Sequence, residues 1–154
     1  MLNATSNRLP AERTRGTALL VRAWFCLSIM IVGLALRGFG FRLGLPGFIV
    51  KYGGSVLWAT MVFFLVAMAA RARSRWSVAV ISAAIAVGVE LFRLVHAPWL
   101  DDFRLTMAGA LLLGRIFSAW DMLAYGVGIV LGVLLDCLAL SAFCGQLRRH
   151  AGAR

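Results

Sequence analysis

Glu90, His96, Asp101 and Asp102 are the residues whose types and spacing could do chemistry. They stand in the stretch VELFRLVHAPWLDDFRLT, from Val89 to Thr106. Three of the chain's six carboxylates fall here, beside Arg93 and Arg104, directly after an apolar run. An imidazole near carboxylates is a common general acid–base set. Adjacent aspartates are oxygen ligands for a divalent cation, and imidazole changes charge near neutrality. Each feature also has an ordinary explanation. Glu90 and Arg93 are three apart, so on a helix they are neighbours and form an ion pair. Pro98 ends the helix and disfavours helical backbone at Ala97, while Trp99 suits the membrane–water interface. Asp101 and Asp102 with Arg104 fit a solvated loop. One histidine with scattered carboxylates falls short of a zinc set. No phosphate-binding or dinucleotide fingerprint is present, so neither a metal nor a cofactor is expected.

The elements that must position these residues are set by a very apolar composition. Of 154 residues, 62% are hydrophobic and 14% charged, with mean hydropathy +0.88. Ordinary soluble domains carry roughly a quarter charged residues, so this chain reads as an integral membrane protein. Its length suits one compact helical bundle. The net charge is +10, and 15 of the 16 basic residues are arginines. They lie in short clusters between apolar spans, which fits lipid head groups and the positive-inside rule. No basic patch with interleaved aromatics occurs, which excludes nucleic acid as the expected partner. Cys26, Cys137 and Cys144 all lie inside apolar spans without a CxxC pair, and read as small buried residues.

Four spans emerge, at about 18–36, 54–70, 76–95 and 120–144. Each is close to the roughly 20 residues needed to cross a bilayer. The first follows a basic start, and its length predicts an uncleaved signal-anchor helix rather than a cleaved signal peptide. Residues 1–17 read as a flexible basic tail, 18–145 as one transmembrane domain and 146–154 as a second basic tail. The turn RARSR between spans two and three forces an antiparallel hairpin. Leu105 to Phe117 is apolar but short, and runs of about 10–14 residues are more often re-entrant or interfacial than spanning. Charge decides between four and five spans. With four, both basic tails and RARSR share the cytoplasmic side, as the positive-inside rule requires. The expected fold is therefore all-α: four transmembrane helices plus one short re-entrant or interfacial helix over 105–117. The expected setting is a bacterial inner membrane with both termini cytoplasmic.

This topology puts Arg37, Arg42, Lys51, Arg93, Arg104 and Arg115 on the outer side with Glu90, Asp101, Asp102 and Asp121. Positive-inside alone would not collect six cations there. Asp121 ends the string SAWD, a capping box for the last helix. Asp136 lies deep in the last span, where a charge needs a partner. Arg22 on the first span has a similar depth and is the expected partner. Gly126, Gly128 and Gly132 mark a face where helices approach closely.

The strings KYGGSVLWATMVF (Lys51 to Phe63), VELFRLVHAPWLDDFRLT and LLLGRIFSAWDMLAYGVGIVLG (Leu111 to Gly132) resemble the small bacterial membrane proteins of domain-of-unknown-function family 2809. The matching positions include Lys51, Tyr52, Glu90, His96, Trp99, Asp101, Arg104, Asp121 and Tyr125. Ser55 and Arg93 depart from the family pattern, which usually has an acid and a glutamine there. The resemblance implies a membrane location and four helices, and no particular reaction. GRIFSAWDMLAYGVGIVLG is also similar, more distantly, to VanZ-like membrane proteins. That similarity implies a role at the cell envelope.

Three functional expectations follow. The first is a non-enzymatic membrane protein with a polar pocket at its outer interface, built from Glu90, His96, Asp101, Arg104, Arg115 and Asp121, with Lys51, Tyr52 and Trp99 beside it. Its arginines would hold an anionic lipid head group or lipid-linked phosphate. The second is an enzyme on a lipid-linked substrate, with His96, Asp101 and Glu90 as candidate catalytic groups. The third is a structural or assembly subunit whose polar residues satisfy one another. Homo-oligomerisation is compatible with all three.

Overall fold

A computed structural model of the chain describes the backbone of residues 8–70, 74–95, 97–106, 109 and 118–151, and side chains within 16–70, 74–95, 97–103, 105–106, 109 and 118–141. The regular structure is α-helical: α1 (Arg8–Phe39), α2 (Gly47–Ala69), α3 (Arg75–Phe92), α4 (Pro98–Leu105) and α5 (Ala119–Ala151). Four of these, all but α4, are long and apolar enough to cross a membrane. The molecule is a multi-pass, all-α membrane protein with the expected four spans. The helices outrun the apolar windows at both ends of the chain. α1 begins at Arg8 rather than near Ala18, and α5 continues to Ala151. Arginine, alanine, leucine and glutamate are good helix formers, so both basic tails carry helical backbone.

The connections are fixed by local chemistry. At the end of α1 the amide of Gly40 donates to the Leu36 carbonyl at 2.9 Å, and the amide of Leu45 donates to the Gly40 carbonyl at 3.0 Å. Gly44 adopts φ +74°, which lets the chain turn without a Cβ clash. Ser74 caps α3, its Oγ accepting the Ser77 amide at 3.1 Å. Ala97 is extended, and Pro98 occupies the first turn of α4, as proline prefers.

The short helix α4 lies where a loop was expected, over Pro98–Leu105. Proline at its start and Asp101 in its first turn suit the positive end of a helix dipole. Thr106 ends it. The Thr106 Oγ1 donates to the Phe103 carbonyl at 2.6 Å and accepts the Gly109 amide at 3.0 Å. The expected re-entrant segment over 105–117 falls almost wholly outside the described residues.

α2 is the central helix. It packs most extensively on α5 and α1, and also on α3. Phe63, Phe64, Ala59, Ile29, Val78 and Ile129 belong to the buried core. Phe25 stacks on Phe64 at 5.5 Å, and Phe63 meets Phe64 edge-on at 5.7 Å. Both geometries are preferred for aromatic pairs. The glycine face of α5 is used as expected. A Cβ at Gly128 would meet the Ala59 Cβ at 2.9 Å, and one at Gly132 would meet the Phe63 ring at 2.8 Å. α1 is the outlying helix, with only 6% of its apolar window buried.

Candidate functional site

Two buried polar clusters sit at opposite ends of the bundle. The first lies at the end that carries the α1–α2 connection and α4. Glu90, in the last turn of α3, is fully buried. Its Oε2 accepts the Tyr125 hydroxyl at 2.9 Å and pairs with Arg93 Nη1 at 2.6 Å. Its Oε1 accepts the Ser118 backbone amide at 2.8 Å. Arg93 Nη1 also donates to Asp121 Oδ2 at 3.1 Å. Ser55 Oγ, on α2, donates to Asp121 Oδ1 at 3.2 Å. One guanidinium therefore bridges two buried carboxylates, and the set joins α2, α3 and α5. The Trp58 ring covers Tyr125 at 5.4 Å.

The bonding of Asp121 corrects the capping-box expectation. In that motif the carboxylate would accept the backbone amide of Ser118. Here Glu90, on α3, accepts that amide, and Asp121 turns to Ser55 and Arg93. The Ser118 amide is already taken by the Glu90 carboxylate, and with Arg93 the Asp121 carboxylate gains a partner of opposite charge, which an amide cannot supply. The Glu90–Arg93 pair appears as the three-residue spacing predicted.

The remaining candidates are distributed more widely. Lys51 and Tyr52 lie near the start of α2, with the Lys51 ammonium 5.1 Å from the Tyr52 ring centre. The Lys51 carbonyl lies 3.3 Å from Ser55 Oγ, as a second acceptor for the same hydroxyl proton. Trp99 is 70% exposed on α4, as an interface anchor would be. Asp101 is half-buried and Asp102 exposed on the same helix. His96, Arg115 and the side chain of Arg104 lie outside the described residues. Of the six expected pocket residues, Glu90 and Asp121 are brought together. Arg93, Tyr125 and Ser55 complete their cluster and were not assigned to the site from sequence. The signal was available in spacing: Ser55 is one turn beyond Lys51, and Tyr125 one turn beyond Asp121, so each pair shares a helix face.

The second cluster sits at the opposite end, where α2 finishes and α3 begins. Asp136 is buried and forms a two-point pair with Arg22, Nε to Oδ1 at 2.7 Å and Nη2 to Oδ2 at 3.0 Å. Arg22 Nη1 donates to the Ala67 carbonyl at 3.0 Å. Arg75 Nε reaches Asp136 Oδ2 at 3.4 Å. The expected Arg22–Asp136 pair is present and ties together α1, α2, α3 and α5.

Among the described side chains, three further cations stand at the end of the bundle that carries the first cluster. Arg37 closes α1, Arg42 is in the α1–α2 connection, and Lys51 opens α2; all three are exposed. None forms an ion pair with a carboxylate among the described residues. Among those residues, no group of three or more His, Cys, Asp or Glu side chains is arranged to hold a metal ion.

A sequence model of the family described as "Protein of unknown function (DUF2809)" matches residues 44–129, more than half of the chain. No solved structure matches it. Ser55 and Arg93, both within the matched residues, touch Asp121. The chain belongs to the DUF2809 family.

Proposed function

We propose that this member of the DUF2809 family binds anionic lipid head groups at the outer interface of a bacterial inner membrane, through Arg37, Arg42 and Lys51. The supporting observation is the placement of these three exposed cations at one end of the bundle, without carboxylate partners among the described residues. The buried clusters supply a reason for the division of labour. Arg93 is held by Glu90 and Asp121 and acts as an internal fastener, so surface cations carry the binding. This moves the proposed contact from the sequence-expected pocket to the α1–α2 corner. The outer assignment follows from the positive-inside rule, with the arginine-rich termini and the basic sequence RARSR between α2 and α3 on the cytoplasmic side. Each basic residue near an anionic surface contributes about 1 kcal/mol, screened by salt.

Mass spectrometry of lipids retained by the protein purified in mild detergent tests the reading. Anionic phospholipid is expected to be enriched over its share of the membrane. Replacement of Arg37, Arg42 and Lys51 together by glutamine is expected to reduce that enrichment several-fold. Absence of enrichment in the unaltered protein would overturn the reading. It would favour the alternative of a structural or assembly subunit, which the mutual satisfaction of Glu90, Arg93 and Asp121 supports.

A further inference from the structure

The α1–α2 corner also holds an apolar groove of about 500 Å³. Val32, Leu36 and Phe39 form one wall along the last two turns of α1. Gly40, Leu43 and Leu45 close it where the connection folds back. The walls are built rather than incidental. The bond from the Leu45 amide to the Gly40 carbonyl at 3.0 Å pins the fold-back. Gly40 fits because a Cβ there would meet Val50 Cγ2 at 2.8 Å, so α1 and α2 are held close at this point. The fold-back thus sets Leu43 and Leu45 across from α1 and leaves the space between them lined by hydrocarbon.

Two cations flank the lining residues in sequence. Arg37 stands between the lining residues Leu36 and Phe39, and Arg42 directly precedes Leu43. Both are exposed and neither is ion-paired among the described residues. A groove of hydrocarbon dimensions running about 10 Å along a helix, whose lining residues adjoin two arginines suited to phosphate, matches the two parts of one lipid molecule. We propose that the groove takes one acyl chain of an anionic glycerophospholipid, whose phosphate rests on Arg37 and Arg42. This rests on the anionic-lipid reading above and sharpens it, from a charged surface that attracts many lipids to a site that seats one. The chain contributes through dispersion contacts along the walls, since acyl chains in the bilayer are already as apolar as leucine. The arginines select the charge.

The test uses the delipidated full-length protein in detergent, titrated with dioleoyl phosphatidylglycerol and read by native mass spectrometry. One tightly held lipid per chain is expected. Dioleoyl phosphatidylcholine and free glycerol phosphate are each expected to bind far more weakly, and equal binding by either overturns the site. Ala35→Trp, at an exposed position lining the groove, is expected to weaken phosphatidylglycerol binding several-fold. Val32→Trp repeats the blockage about one turn earlier on the same wall should Ala35→Trp fail to fold. Arg37→Gln with Arg42→Gln is expected to weaken binding on the order of tenfold. If only the arginine variant weakens binding, the groove is not the seat, and the surface reading stands without it. If neither kind of variant weakens binding, both fall. If only the tryptophan variants do, the groove holds apolar chains without regard to charge, and the proposal is overturned.

Discussion

The two polar clusters are opposites in composition. The one beside α4 has two carboxylates, Glu90 and Asp121, sharing one guanidinium. The one near the start of α3 has a single carboxylate, Asp136, shared by two guanidiniums. They lie about four turns apart on α5, roughly 22 Å along the helix. Their exposure differs as well. Arg93 is 11% exposed, whereas Arg75 is 51% exposed at its cluster. The carboxylate-rich set is sealed into the bundle. The arginine-rich set has a side chain long enough to place its charge in the interface while still touching its partner. A membrane protein can thus keep charged residues inside in two ways: by enclosing them with a shared counter-ion, or by leaving one of them a path to water.

This difference orders the expected effects of substitution, each read as unfolding free energy in detergent. Arg93→Met should be the most damaging, at about 3–5 kcal/mol, because it leaves two buried carboxylates without their shared partner. Asp136→Asn should come next, at about 2–3 kcal/mol. It also removes a counter-charge, but Arg75 can turn towards water. A larger loss from Asp136→Asn than from Arg93→Met would break the comparison. Arg22→Met should cost about 1–2 kcal/mol, in the range of a bond to a charged group, since Arg75 still neutralises Asp136. No effect from Arg22→Met would show that its two-point pair is dispensable. Tyr125→Phe should cost about 1 kcal/mol through one lost hydrogen bond to Glu90. Arg75→Gln should cost below about 1 kcal/mol, as for other exposed ion pairs.

The spans were legible because a bilayer imposes length and apolarity on them. The Arg22–Asp136 pair was legible for the same reason: depth in a span can be counted, and a deep charge must find a partner. The Glu90–Arg93 pair followed from helical spacing alone. Local patterns failed where tertiary partners competed. SAWD reads as a capping box, yet the amide it would satisfy belongs to Glu90. In sequence α4 resembles a loop because its eight residues contain Asp101, Asp102 and an arginine, with too short a run to display an apolar stripe. Ser55 and Tyr125 were not placed in the site because their roles depend on how α2 and α5 are rotated against α3, which no single span records. The groove at the α1–α2 corner was equally invisible, since it depends on the fold-back at Gly40 and Leu45.

The bond from the Ser118 amide to Glu90 has a consequence for assembly. It joins one residue before the connection that follows α4 to one after it. A chain severed between Thr106 and Ser118 would leave Ser55, Glu90 and Arg93 on one piece, and Ser118, Asp121 and Tyr125 on the other. Most bonds of the cluster would then run between the pieces. The carboxylate-rich end would become the adhesive of a two-part protein, whose halves recognise each other in the bilayer by the charges they would otherwise have to bury alone.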